Sequence, residues 1–132
     1  MSTSRVLLLG FIGLVVVFGL IQLVPYGRDH TNPPVVQEPN WPDPQTRELA
    51  VRACYNCHSN EVTWPWYSNV APVSWLVQND VQEGRARLNF SEWGLHGRET
   101  DDAAEVVAEG EMPPWYYSLV RSRARLSATE EQ

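Results

Sequence analysis

The sequence predicts a small all-α domain preceded by one membrane-spanning helix. An uncharged apolar stretch runs from Val6 to Val24, apolar residues recur at helical spacing further along the chain, and no run alternates apolar with polar residues as strands do. The 132 residues suit a single small domain beyond the apolar stretch. We divide the chain into an anchor at 1–24, a proline-rich tether at 25–43 and a folded domain at 44–132.

The N-terminal apolar stretch has the length of a membrane-spanning helix. As a helix, Val6 to Val24 would span about 28 Å, close to the roughly 30 Å of a bilayer core. A cleaved signal peptide would have a shorter apolar region and a small-x-small cleavage site, and no such site precedes Pro25. We therefore predict a retained anchor. Arg5 and Arg28 flank it, so charge alone leaves its orientation open.

The rest of the chain contains three predicted helices separated by long loops. Asp43 is the predicted N-cap of the first, with Pro44 at its first helical position. The second runs from about Pro72 to Leu88, and the third starts after Thr100 as N-cap and stops at Gly110. The apolar face expected to cover the core in the second helix consists of Val73, Leu76, Val77, Val81 and Leu88.

The charge of the chain excludes one class of partner and favours another. The net charge is −6, and all ten basic residues are Arg. Nucleic-acid binding is therefore not expected. An acidic run between Glu99 and Glu111 would attract a redox partner with a basic docking surface, although it is equally consistent with a solvated helix face.

The two cysteines form one local motif, Cys54-Tyr55-Asn56-Cys57-His58. Cys-x-x-Cys-His is typical of c-type haem attachment, in which both thiols form thioethers with the haem and the adjacent imidazole binds its iron. A structural zinc site would need two further good ligands. A thioredoxin-type dithiol would need a surrounding βαβ pattern, which the sequence lacks. The motif therefore predicts one covalently attached haem c.

The second axial iron ligand is predicted from the side chains that remain. Met112 is favoured over His30 and His96, because a thioether stabilises ferrous iron and the prolines after Met112 fix its backbone. The carbonyls of Pro65 and Pro72 are considered as acceptors for the His58 ring N–H. Aromatic residues predicted to line the haem are Trp64, Trp66, Tyr67 and Trp115.

Several segments together resemble the bacterial haem-binding domain family of cytochrome c-like proteins. The likeness covers about Thr46 to Ser127. It rests on the Cys54 to Asn60 segment, Trp64-Pro65-Trp66-Tyr67, Ala71-Pro72-Val73-Ser74-Trp75, Asn89-Phe90-Ser91-Glu92-Trp93 and Met112-Pro113-Pro114-Trp115-Tyr116. The resemblance implies covalent haem at Cys54 and Cys57, with His58 as an axial ligand. It likens the Met-Pro-Pro segment to the distal methionine loop of small cytochromes c.

The resemblance also bears on location and on the C-terminus. It implies haem attachment outside the cytoplasm, and so an N-terminus in the cytoplasm and a haem domain in the periplasm or cell exterior, anchored in a bacterial inner membrane. Such domains usually continue into a C-terminal helix, which is missing here. Ser127 and Glu130 match the opening of a capping box, yet too few residues follow to form a stable helix. Either the fold tolerates the loss of this helix or a partner covers the surface that it would have occupied.

These features predict a membrane-anchored mono-haem cytochrome that carries electrons and is not itself an enzyme. Its partners would be membrane lipid and other subunits of a respiratory or photosynthetic complex. A five-coordinate haem sensor or redox enzyme is a second hypothesis, which applies if Met112 does not bind iron. A third is a structural subunit whose haem contributes little to electron flow.

Overall fold

The fold is helical, as predicted. The computed structural model describes residues 2–95 and 101–130, without the side chains of Asp101 and Asp102. Within these residues no strand forms, and one isolated parallel bridge joins Gln37 to Glu92. The helices are α1 (Thr3–Ile21), α2 (Pro44–Ala53), α3 (Tyr55–His58), α4 (Val73–Arg87), α5 (Asp101–Ala108) and α6 (Trp115–Val120), with 3₁₀ turns at Trp66–Asn69 and Ser122–Ala124.

The chain forms two compact units. One comprises Met1–His30 and Trp64–Asn79, and the other Thr31–Thr63 and Asp80–Gln132. The first unit contains α1, none of whose residues is buried. A helix of this length and apolar composition can cross a membrane. It ends slightly earlier than the predicted stretch, because the chain turns after Ile21.

The second half of the predicted tether is part of the second unit. The Val36 N–H donates to the Ser91 carbonyl at 2.8 Å, and the Trp93 N–H donates to the Gln37 carbonyl at 3.0 Å. Residues 31–41 are therefore fixed by hydrogen bonds, where the composition had predicted a free, semi-extended tether. Proline-rich, aperiodic sequence excludes helix, but it leaves backbone groups that can pair with a distant segment.

The predicted start of α2 is confirmed. The Asp43 carboxylate accepts a hydrogen bond from the Thr46 backbone N–H at 2.9 Å, and Pro44 occupies the first turn. This contact lowers the pKa of Asp43, because hydrogen bonds from the Thr46 backbone and hydroxyl stabilise the carboxylate. The cap fixes where α2 begins, so that the helix ends directly at the cysteine motif.

The buried face of α4 differs from the predicted apolar face. Its most buried side chains include Ser74, Gln78 and Val81, whereas Val73 is 43% exposed and Leu76 is 51% exposed. Helical periodicity predicted the extent of α4 correctly, and Val81 of the predicted apolar face is buried, but Val77 and Leu88 are only half-buried and Val73 and Leu76 are exposed. Small and polar side chains are buried because other backbone segments approach this face closely, as described below for Gly84.

The chain after α4 follows the prediction in part. α5 ends before Gly110, whose φ of +73° suits the left-handed turn that closes a helix. Thr100, its predicted N-cap, and Glu99 lie outside the described residues. α6 was not predicted, because the prolines before Trp115 and the dense aromatic residues obscure its helical pattern.

The C-terminal residues form a turn fastened to α2, without a further helix in the described chain. The Glu130 carboxylate accepts hydrogen bonds from the Ser127 backbone N–H and hydroxyl, both at 2.8 Å, which is the predicted capping-box contact. Glu130 also forms an ion pair with Arg52 of α2 at 2.7 Å. The terminal turn is thus held against α2 by one ion pair.

Glu130→Gln should loosen this turn and remove its pH dependence. The Ser127 N–H, Ser127 hydroxyl and Arg52 together lower the pKa of Glu130 from 4.5 to about 2. A carboxyl group whose pKa is lower in the folded chain than in the unfolded chain stabilises the fold when the pH is above its unfolded pKa. For Glu130 that stabilisation is lost as the pH falls from about 4.5 to about 2. In the parent chain, the chemical shift of the Ser127 amide proton should change with pH over this range. In Glu130→Gln it should not change with pH.

Glu109→Gln is the matched control, because Glu109 is exposed after the end of α5. It should leave the Ser127 titration unchanged. A Ser127 resonance that is insensitive to pH in the parent chain would show that Glu130 does not hold the turn.

Candidate functional site

The cysteine motif folds into one short helical turn. α2 ends at Ala53, and the His58 N–H donates to the Cys54 carbonyl at 2.9 Å, which closes the turn of α3. Residues three and four positions apart lie on one face of a helical turn, so Cys54, Cys57 and His58 are brought together. Both cysteines are free thiols and are neither fully buried nor fully exposed. The turn thus presents two thiols and an imidazole side by side.

Both thiols are protonated at neutral pH. Burial raises the pKa of Cys54 to about 11. Burial, followed by the negative charge of Asp80, raises the pKa of Cys57 to about 11. A neutral thiol is a weak nucleophile toward disulfides and a weak ligand for metal ions, which makes a reactive dithiol centre a poor interpretation of this pair.

The His58 ring is oriented by the last turn of α4. Its Nδ1 lies 3.0 Å from the Gly84 carbonyl oxygen and 3.1 Å from the Leu88 carbonyl oxygen. Carbonyls only accept hydrogen bonds, so Nδ1 carries the proton and the Nε2 lone pair is left for a metal. Burial lowers the pKa of His58 below its ordinary value, outweighing the opposing effect of these two contacts. A neutral imidazole with a free Nε2 is the form that binds iron.

These two carbonyls correct the predicted acceptors. The Pro65 carbonyl accepts the Ser68 N–H at 3.0 Å, and the Pro72 carbonyl accepts the Trp75 N–H at 3.1 Å. The sequence could not distinguish them from the carbonyls that His58 uses, because every residue has a carbonyl and only tertiary packing selects one.

Gly84 allows the close approach of α4 to the motif. A Cβ at this position would lie 2.4 Å from the Cys57 carbonyl oxygen and 2.9 Å from its carbon. No real side chain tolerates such a contact without a shift of the backbone. The glycine is therefore required by packing and not by its own backbone dihedrals.

The comparison with known proteins agrees with this geometry. The profile of the haem-binding domain family matches residues 16–132. The chain belongs to the haem-binding domain family. The match begins within α1 and includes residues 31–41, consistent with their hydrogen bonds in the second unit. No curated protein and no solved structure shows a significant match to the chain.

A buried polar cluster joins the cysteine motif to the loop after α4. The Asn89 side-chain amide donates to the Asn60 side-chain carbonyl at 3.0 Å, and the Ser91 hydroxyl accepts from the Asn60 N–H at 2.9 Å. The Phe90 N–H donates to the His58 carbonyl at 2.8 Å. Sequence analysis assigned no role to Asn60, Asn89 or Ser91. The available signal was their short polar side chains beside the motif and beside the end of α4.

α6 contacts the motif from another side. The Asn56 side-chain amide donates to the Tyr117 hydroxyl at 2.7 Å. The neighbouring Tyr116 hydroxyl donates to the Asp80 carboxylate at 3.2 Å. Burial raises the pKa of Asp80, and the Tyr116 contact partly offsets that effect. α6 therefore provides two tyrosines that hold the motif and α4.

Met112 lies in the turn between α5 and α6. It is half-buried, and its N–H donates to the Val106 carbonyl at 3.2 Å. Its role as the second iron ligand stays a prediction. The alternative His30 is otherwise engaged, because its ring stacks on Trp64 at 4.4 Å between centroids and its Nε2 lies 3.1 Å from the Ser68 carbonyl. The other alternative, His96, lies outside the described residues.

The four aromatic residues predicted to line the haem are divided between the two units. Trp64, Trp66 and Tyr67 belong to the first unit, whereas Trp115 belongs to the second. Trp66 is 80% exposed and meets Tyr67 edge-on. Trp115 is 74% exposed and meets Tyr116 edge-on. A haem-lining role for these four side chains stays a prediction.

A cleft of about 750 Å³, lined by both polar and apolar side chains, lies beside the motif at Tyr55 and Asn56. Neither cysteine thiol lines it, and its rim is rich in charged side chains. These are Arg47, Glu48, Arg52, Glu61, Arg121 and Arg123. Such a lining suits water and ionic groups better than the apolar face of a haem.

Gly84→Ala should disturb the motif directly. The added methyl group must displace the Cys57 carbonyl, so we expect the free energy of unfolding to fall by about 1–3 kcal/mol. Denaturant unfolding of the detergent-solubilised protein, followed by circular dichroism, measures this change. Gly13→Ala is the matched control, since a Cβ at Gly13 meets nothing within 4 Å. Equal stability of the two variants would show that the close approach at Gly84 is not required.

Proposed function

We propose that this chain is a membrane-anchored mono-haem c-type cytochrome that carries electrons. In this proposal Cys54 and Cys57 hold one haem through thioethers, and the Nε2 of His58 binds its iron. The observation that carries the proposal is the His58 ring, whose Nδ1 proton is directed to the Gly84 and Leu88 carbonyls. Its free Nε2 lies on the same turn as two unpaired thiols.

The chemistry of attachment suits the state of the thiols. Each S–H adds across one vinyl group, with sulfur bonding to one carbon and the proton passing to the other. The addition consumes no oxidant, but it requires reduced cysteines, and both are free here. When bound, the haem supplies an iron that alternates between ferric and ferrous states. The protein holds the imidazole as a neutral donor and limits the access of water.

An electron carrier is favoured over an enzyme by the second predicted ligand. If the Met112 sulfur binds the iron, both axial positions are filled and a substrate has no open site. The exposed carboxylates of Glu105, Glu109 and Glu111 lie on either side of the α5 terminus that leads to Met112. They would attract a basic redox partner toward this edge of the domain. A subunit of a respiratory or photosynthetic membrane complex would use such a contact.

The proposed location follows from the anchor and the attachment chemistry. α1 is apolar from Val6 onward and none of its residues is buried, which supports insertion in a membrane. Attachment of c-type haem outside the cytoplasm would place the N-terminus in the cytoplasm. The haem domain would then face the periplasm or the cell exterior at a bacterial inner membrane.

Haem retention tests covalent attachment. After acid–acetone extraction, the holoprotein should keep one haem per chain, measured by pyridine haemochrome absorbance and intact mass. The double variant Cys54→Ala/Cys57→Ala should release it. His58→Ala should keep the thioethers and lose the low-spin spectrum, whereas the control His30→Ala should change neither property. Complete extraction of haem from the parent protein would refute the c-type assignment.

Met112→Ala tests the closed coordination sphere. The ferric parent should show the methionine-sulfur to iron charge-transfer band in magnetic circular dichroism, and the variant should lose it. The ferrous variant should bind carbon monoxide rapidly, while the parent should resist it, and the reduction potential should fall because the thioether no longer favours ferrous iron. Rapid binding by the parent with an unchanged variant spectrum would instead support the five-coordinate sensor or redox enzyme.

A further inference from the structure

We propose that residues 66–76 form a membrane-surface contact that lies among lipid headgroups beside α1. The inference rests on the membrane anchor of the proposed function and adds a second lipid contact to it. Residues 62–79 contain no charged side chain, although 20% of the chain is charged. Part of this stretch, Trp64–Asn79, packs in the same unit as α1.

A side-chain amide fastens this segment to the end of α1. The Gln22 Nε2 donates to the Ala71 carbonyl at 2.9 Å, and the Ala71 N–H donates to the Gln22 Oε1 at 2.9 Å. This paired contact satisfies both backbone groups of Ala71. Such pairing matters most where water is scarce, because an unsatisfied amide in an apolar medium is costly. Ala71 is thus fixed at the level where α1 ends.

A second contact reinforces the first. Gly27 has a φ of +84°, and a Cβ there would lie 2.6 Å from both the carbonyl carbon and the carbonyl oxygen of Ser74. The backbone of Gly27 therefore touches the first turn of α4. Arg28 also donates a hydrogen bond to the Gln22 backbone carbonyl, which places a cation at the C-terminal end of the α1 dipole.

Several large apolar side chains around these contacts are exposed, beside the exposed polar side chain of Asn69. Leu23 is 77% exposed, Trp66 is 80% exposed and Leu76 is 51% exposed. Leu23 continues the exposed apolar surface of α1 toward Ala71, so the patch adjoins a surface that itself requires lipid. Tryptophan is enriched at membrane interfaces, since its ring is apolar and its N–H is polar. Lipid is therefore the occupant that matches both the composition and the position of the patch.

The dimensions agree with a position among the headgroups. α1 is about 28 Å long, so Gln22 lies near one boundary of a core of roughly 30 Å. The headgroup layer on each side is about 5–8 Å thick. Ala71 is hydrogen-bonded to Gln22, and Val73 follows within about 7 Å along the chain. A Val73 side chain that is 43% exposed can therefore contact lipid without any rearrangement of the fold.

Thiol protection in lipid tests the contact. Val73→Cys and Leu76→Cys are made separately in the full-length holoprotein, in which Cys54 and Cys57 carry the haem. Each variant is placed in nanodiscs that hold one copy, and alkylation by a charged maleimide is followed by intact mass. A thiol among lipid headgroups meets the reagent rarely and ionises less. Alkylation at both positions should therefore be slower by about tenfold or more than at the control.

Ala86→Cys is the control, because Ala86 is an exposed residue of the same helix between Arg85 and Arg87. Val15→Cys reports on the anchor itself. Protection at 15 but rapid alkylation at 73 and 76 would overturn the surface contact and leave the anchor intact. Rapid alkylation at 15 as well would remove the anchor and, with it, this inference. Protection that appears only in discs holding two copies would show that a second chain, and not lipid, covers the patch.

Discussion

The hydrogen bond from the His58 ring to the Gly84 and Leu88 carbonyls is the contact on which the motif depends. The Leu88 carbonyl follows the last turn of α4 and accepts the imidazole N–H, while the Gly84 carbonyl also accepts the Leu88 backbone N–H at 2.9 Å. The contact requires α4 to approach the motif so closely that position 84 must be glycine. The two carbonyls thus fix the proton on Nδ1 of His58 and leave its Nε2 without a proton, as the proposed binding of iron requires.

Small polar side chains hold the surrounding loops in place of a large apolar core. Ser59, Asn60 and Asn89 are almost completely buried, while the buried apolar residues include several as small as alanine. Long loops have backbone groups that no helix satisfies, and short hydroxyl and amide side chains can reach them. The Asn60, Asn89 and Ser91 cluster does this between the motif and the chain after α4. Such a cluster specifies one geometry, because each unsatisfied member would be costly.

The sequence predicted those features that local chemistry decides. Asp43 before Pro44, the turn at Gly110 and the Ser127–Glu130 contact are all short-range patterns, and the structure has each of them. It failed where distant segments meet. Residues 31–41 are held by hydrogen bonds to residues near Ser91, and no pattern in either segment predicts the pairing. The buried face of α4 was missed for the same reason. A small side chain is buried there in place of a large apolar one only because another backbone segment lies close to it, and the sequence does not show which segments approach each other.

The distribution of charge separates two kinds of contact along one chain. Burying a charge in the apolar part of a bilayer is costly, so the absence of charged residues from 62 to 79 favours the proposed contact of this stretch with lipid. The opposite holds for Glu105, Glu109 and Glu111, which are exposed and would attract the proposed basic partner over a distance set by the ionic strength. Electron transfer between carriers benefits from brief encounters, whereas an anchor benefits from a permanent one. An acidic surface suits brief encounters, and an apolar surface suits a permanent contact with lipid. Exchanging the charges of the two segments would therefore impair both proposed contacts.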